Sequence, residues 1–172
     1  MVNSRYFNQI TRAGGNYILQ AAIRSEQMKA TSRYRLIFGL AAIYNIAFGL
    51  WTCLWPQSFF QLMKMVSPNY PSLWSCLGMV VGLYGLLYGY SACRLDRAFP
   101  IILIGLLGKI LGPLGWVIAV HSGEWPLRTL PLVVFNDLTW WVPFALFLLK
   151  GKQLISGSSR LPAGAVDPPD RE

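Results

Sequence analysis

Residues 98–120 and 129–149 read AFPIILIGLLGKILGPLGWVIAV and TLPLVVFNDLTWWVPFALFLL, two consecutive apolar runs that each carry one full charge, Lys109 and Asp137. A bilayer core of about 30 Å takes about 20 apolar helical residues to cross, so both runs are long enough. A charge at the bilayer centre costs roughly 2.5–3.5 kcal/mol on insertion scales unless it is paired or wetted. Lys109 lies about midway along its run, and Asp137 is displaced from the middle of its own by about two residues, or ~3 Å of helical rise. Two opposite charges at matching depth pair most simply with each other.

Two further runs qualify as spans: 36–55 (LIFGLAAIYNIAFGLWTCLW) and 71–92 (PSLWSCLGMVVGLYGLLYGYSA). The whole chain is 54% hydrophobic and 13% charged, against about 25% charged in an average soluble domain. The fold expected is all-α, an integral membrane bundle of four transmembrane helices. Its boundaries are a basic arm over 1–33, the helical domain over 34–150 and a Ser/Gly/Pro-rich tail over 151–172. The arm offers two readings, an interfacial helix over 15–29 with Tyr17, Ile18, Ala21 and Ala22 on lipid, or a solvated segment. The first 30 residues lack the uninterrupted apolar core of a cleavable signal peptide. The loop from Pro56 to Pro71, rich in Phe59, Phe60, Leu62, Met63 and Met65, reads as a short headgroup-level helix.

The chain has 15 Lys+Arg against 7 Asp+Glu, and their placement says more than their sum. Arg5, Arg12, Arg24, Lys29, Arg33 and Arg35 precede the first span, Arg94 and Arg97 sit in the middle loop, and Lys150 and Lys152 follow the last. The remaining loops hold only Lys64 and Arg128. The positive-inside rule therefore puts both termini in the cytoplasm. Trp51, Trp55, Trp74, Trp116 and Trp125 fall at the outer boundary, and Tyr34, Tyr88 and Tyr90 at the inner one. Basic residues distributed this way set topology and argue against a nucleic-acid partner.

Packing is suggested by glycine spacing. Gly78, Gly82, Gly85 and Gly89 share one face of the second span, and Gly105, Gly108, Gly112 and Gly115 share one face of the third. Small residues let helix backbones approach closely in lipid, so these two faces are expected to meet, with a homodimer seam as the competing use. The run Gly105 to Lys109 lacks the spacing and the Ser/Thr of a phosphate loop.

Around the charged pair the sequence gathers a candidate ligand or proton site at the bilayer midplane. Asn45 marks the middle of the first span and Asn136 precedes Asp137. Pro113 cannot donate to the Lys109 carbonyl four residues earlier, and that freed acceptor requires a partner at membrane depth, with Asn45, Asn136 or a water as the options. Tyr44, Tyr84, Trp140 and Trp141 are positioned to wall a pocket. A purely structural ion pair that fixes which helix faces which is the alternative.

Enzyme chemistry is thinly provided. Cys53 and Cys76 both lie toward the outer ends of their spans and are the candidate redox pair. Cys93 is on the other side, and there is no CxxC motif. A single histidine, His121, rules out a multi-histidine metal site and reads as a solvated loop residue; no cofactor is called for.

The segments Tyr44-Asn45, Asn69-Tyr70-Pro71, Gly108-Lys109 with Gly112-Pro113, and Asn136-Asp137 with Trp140-Trp141-Val142-Pro143-Phe144 resemble a family of small four-span bacterial membrane proteins of uncharacterised function. The resemblance covers roughly residues 33–149 and implies the bacterial inner membrane. Sequences of this kind often carry an automatically transferred label, alkyl hydroperoxide reductase. That activity resembles a soluble thioredoxin-like fold with an activated peroxidatic cysteine, for which this chain supplies neither strands nor a thiol setting. The expected function is a non-enzymatic multi-pass protein with a polar midplane site for a small or lipidic ligand, or an accessory subunit. Proton exchange or transport by Lys109 and Asp137 is one alternative; an intramembrane thiol enzyme using Cys53 and Cys76 is another. The bilayer is the expected partner, with a second copy or a larger membrane complex beside it.

Overall fold

A computed structural model describes the backbone of residues 4–151 and the side chains from residue 17 onward. It is all-helical over the described residues. Four helices are long and apolar enough to cross a membrane. Span one belongs to the helix Ser4–Leu54, span two is Pro71–Cys93, and span three is Ala98–His121. Span four is composite: α-helix Leu130–Val133, a π turn Val134–Leu138, α-helix Thr139–Leu146 and a second π turn Phe147–Gly151. The tail from residue 152 lies outside the described residues.

The span boundaries follow local chemistry. Pro71 sits in the first turn of span two, where its missing N–H is one of the helix's unpaired donors anyway. The loop Leu95–Arg97 closes on itself as a 3-10 turn, and Arg97 donates to the Tyr90 hydroxyl at 3.5 Å. On the opposite end the predicted headgroup-level helix forms as Ser58–Leu62.

The basic arm continues span one as one helix of 51 residues, a single element that includes the stretch 15–29. At the α-helical rise that is ~77 Å, more than twice a bilayer core, so the helix projects beyond the bundle. No proline interrupts it, and Tyr17, Ile18 and Leu19 are exposed along the extension.

The bundle is inverted relative to a soluble domain. Leu103, Ile104, Leu107, Leu111, Ile118, Val142 and Leu149 are exposed, whereas Asn45, Lys109 and Asp137 are buried. Two aromatic cores bracket that polar layer. At the end carrying Arg94 to Arg97, Phe38 meets Phe144 and Phe147 edge-on, with ring centroids 5.7 and 4.9 Å apart, and Tyr88 packs on Phe144. At the other end Phe59 and Phe60 pack on Trp74, and Trp125 closes the group. Tyr88, expected at an interface, is instead 1% exposed in the core.

The glycine faces do not meet each other. Span two packs chiefly against span one: a Cβ on Gly78 would lie 2.6 Å from the Cys53 nitrogen, and one on Gly85 2.8 Å from the Ile46 nitrogen. Gly49, in span one, completes the seam, with its own Cβ position 2.6 Å from Gly78 O. Gly89 makes an ordinary contact with Ala42, while the Cβ position of Gly82 is open. Spacing identifies a close-packing face, but it cannot say which neighbour fills it, and the bare backbone of Gly49 offered the nearer approach. Span three keeps its glycines for the site.

Candidate functional site

Lys109, Asp137, Asn45 and Asn136 come together from spans one, three and four. The Lys109 ammonium lies 3.6 Å from Asp137 Oδ1 and donates to Asn45 Oδ1 at 3.4 Å. It also donates to the main-chain carbonyl of Asn136. Asn136 Nδ2 donates to Asp137 Oδ1 at 2.8 Å, so lysine and asparagine share that one carboxylate oxygen. The residue exposures are 2% for Asn45, 6% for Lys109 and 8% for Asp137, which makes this a buried polar cluster rather than a surface ion pair.

Each member is aimed by its own backbone. Asn45 Nδ2 donates to the Ala41 carbonyl one turn earlier at 2.7 Å, which turns its Oδ1 toward Lys109. Asn136 and Asp137 lie within the π turn Val134–Leu138. A π turn widens the helix and displaces carbonyls from the α ladder, and such turns recur at functional sites. The Thr139 hydroxyl donates to Val134 O, five residues back, at 2.8 Å and closes the wide turn. Gly112 makes room for the carboxylate, since a Cβ there would stand 3.1 Å from Asp137 Oδ2.

The carbonyl freed by Pro113 finds a different partner from those anticipated. Trp141 Nε1 donates to Lys109 O at 2.9 Å. Trp141 therefore ties spans three and four together. The rings of Tyr44 and Trp140 pack together with centroids 6.0 Å apart, and Trp140 Nε1 is buried without a hydrogen-bond partner. Tyr84 is placed as expected, and it is joined by Tyr88, one turn further along the same face. The spacing of four between these tyrosines was the available sign. Gly105 makes room for the hydroxyl end of Tyr88, where a Cβ would meet the hydroxyl oxygen at 2.5 Å and the ring carbon Cε1 at 2.8 Å.

Two clefts adjoin the cluster. One, of about 180 Å³, is bordered by Asn45, Tyr84, Tyr88, Lys109, Asn136 and Asp137 among others. The second, of about 400 Å³, runs from Asn136 and Asp137 past Gly108, Gly112 and Gly115 to Trp74, Trp116 and Trp125. Leu77, Val81, Gly108, Asn136 and Asp137 border both. No side chain comes within 4 Å of the Cβ positions of Gly108 and Gly115, so the groove exists because those positions are bare. Trp116 Nε1 donates to Thr129 Oγ1 at 2.8 Å and fixes the far wall. Buried Asn136 Oδ1 has no hydrogen-bond partner, and neither has Trp74 Nε1 in the same groove.

Cys53 is half-buried and Cys76 and Cys93 are exposed; all three are free thiols, and none borders either cleft. His121 is the last residue of span three rather than a loop residue, and it is exposed. Among the described residues no group of His, Cys, Asp and Glu is arranged to hold a metal ion. No protein-family model matches the chain, and no curated protein or solved structure is significantly similar to it.

Proposed function

We propose that this chain is a multi-pass protein of the bacterial inner membrane, with both termini in the cytoplasm, whose midplane cluster binds a small or lipidic ligand. The unpartnered carbonyl Oδ1 of Asn136, buried beside an ion pair in a residue that borders two adjoining clefts, carries the reading. Buried polar atoms in folded proteins are nearly always paired. Asn136 and Asp137 also border a groove of about 400 Å³ whose size and largely apolar lining are typical of ligand sites, and Lys109 borders the smaller cleft beside it. The basic residues of the arm and middle loop support the orientation, and the family resemblance supports the bacterial setting.

The test is co-purification. Full-length protein extracted in mild detergent and analysed by mass spectrometry is expected to carry one lipid species enriched over the bulk membrane. The Lys109→Met, Asp137→Leu double variant is expected to fold and to lose that enrichment. Extracts that match bulk composition for both proteins would overturn the reading.

A second reading, proton exchange by the pair, rests on Lys109 and Asp137 both bordering the smaller cleft. Proteoliposomes with a pH-sensitive dye inside decide it: a proton flux abolished by Asp137→Asn supports exchange, and equal, leak-level rates in both proteins dismiss it.

A further inference from the structure

We infer that the ligand enters as an uncharged hydrogen-bond donor: an amphiphile with a hydroxyl head at Asp137 Oδ2 and an apolar body along the bare glycine face of span three. This rests on the ligand-site reading above and adds the chemical class. An ammonium has three protons to give, and Lys109 has three acceptors around it: Asn136 O, Asn45 Oδ1 and Asp137 Oδ1. The Asn136 amide N–H is directed at Asp137 Oδ1. What remains open at the midplane end is Asp137 Oδ2, which takes none of these bonds and lies against Gly112, while Asn136 Oδ1 has no partner but is enclosed by protein.

The atom open to the cleft is a carboxylate acceptor, and this decides the head group. An ester, ketone or ether head would set lone pair against lone pair. A carboxylate would add a second anion beside Asp137. An ammonium would leave two cations against one carboxylate in a low-dielectric site, where an uncompensated charge is expensive. A hydroxyl donates one proton and leaves the charge of the cluster at zero. Its own oxygen can then accept from the Tyr84 or Tyr88 hydroxyl, both of which border the smaller cleft.

The body of the ligand is set by the groove. Gly108, Gly112 and Gly115 present backbone only, Leu77 and Val81 face them from span two, and Trp74, Trp116 and Trp125 close the end. A straight apolar chain fits such a strip and meets the indoles at the far end.

The test uses the full chain in nanodiscs of dioleoylphosphatidylcholine with four photoreactive probes. These are hexadecanol bearing a mid-chain diazirine, its methyl ether, the matching amine and the matching fatty acid. The alcohol is expected to label the strip around Leu77 and Val81 about five-fold more than the ether, the ratio that ~1 kcal/mol of hydrogen bond gives. Gly108→Leu and Gly115→Leu put side chains into the groove at positions whose Cβ has no neighbour within 4 Å, so both are expected to fold and to lose the labelling. Equal labelling by alcohol and ether, or stronger labelling by amine or acid, overturns the donor inference and leaves the ligand site standing. Labelling that persists in both leucine variants overturns the placement of the body along the glycines. No labelling of the cleft by any of the four probes removes this inference, and bulk-composition lipid extracts would in addition remove the site reading itself.

Discussion

The indole N–H of Trp141 donates to the main-chain oxygen of Lys109 at 2.9 Å, and Pro113 is the reason that oxygen is free. The same lysine whose side chain is neutralised by span four thus has its backbone held by span four as well. A proline that weakens one helix has been turned into a tie between two.

The tie predicts a thermodynamic cycle. Trp141→Phe keeps an aromatic side chain, though a smaller one, and removes the donor, stranding a carbonyl at membrane depth, and is expected to lower stability by about 1–3 kcal/mol. Pro113→Ala restores a helical N–H for that carbonyl, so in its background the same tryptophan change is expected to cost markedly less. Reversible unfolding in mixed micelles measures both. An equal loss in the two backgrounds would disprove the coupling.

The ion pair predicts asymmetry between single and double changes. Lys109→Met leaves Asp137 as a buried anion held only by Asn136, and Asp137→Leu leaves an uncompensated ammonium. Each single change is expected to cost about 3–5 kcal/mol, and the double change substantially less than their sum. Strict additivity in denaturation midpoints would mean that the two charges do not interact.

Glycines that look alike in the sequence are expected to behave differently. Gly78→Ala drives a methyl to 2.6 Å from the Cys53 backbone nitrogen and should separate spans one and two, at a cost of about 1–3 kcal/mol or more. Gly82→Ala, one turn away with open space at its Cβ, should be neutral or stabilising by up to about 1 kcal/mol through helix propensity. Thermal melts in one detergent rank the two; matching destabilisation would show that the seam is placed wrongly.

Lys64 is the one described non-glycine residue with positive φ, at 49°, and its carbonyl accepts from Arg128 Nη2 at 2.7 Å. The left-handed conformation costs a non-glycine residue about 1–2 kcal/mol, against about 0.5–1 kcal/mol of extra chain entropy for glycine. Lys64→Gly is therefore expected to stabilise by up to about 1 kcal/mol while keeping the Arg128 contact. A lowered melting temperature would contradict the assigned backbone.

Residue sequence by itself determined the quantities that run along a helix axis. The number of spans and the matching depth of Lys109 and Asp137 follow from length, hydropathy and a fixed rise per residue. The unmet valence at the Lys109 carbonyl was legible too, because proline's missing N–H is a property of one residue. Tertiary structure decided everything that depends on rotation about those axes: that Gly78 and Gly85 seat against span one, that Trp141 rather than an asparagine reaches the freed carbonyl, and that Gly108 and Gly115 stay uncovered. Nor could local pattern foresee that the basic arm joins span one in one continuous helix, or that Asn136 and Asp137 sit in a π turn. The physical reason is that depth is set by each segment's own partition between water and lipid. Azimuth in lipid, where no apolar face is favoured over another by water, is set by close packing among all four helices at once.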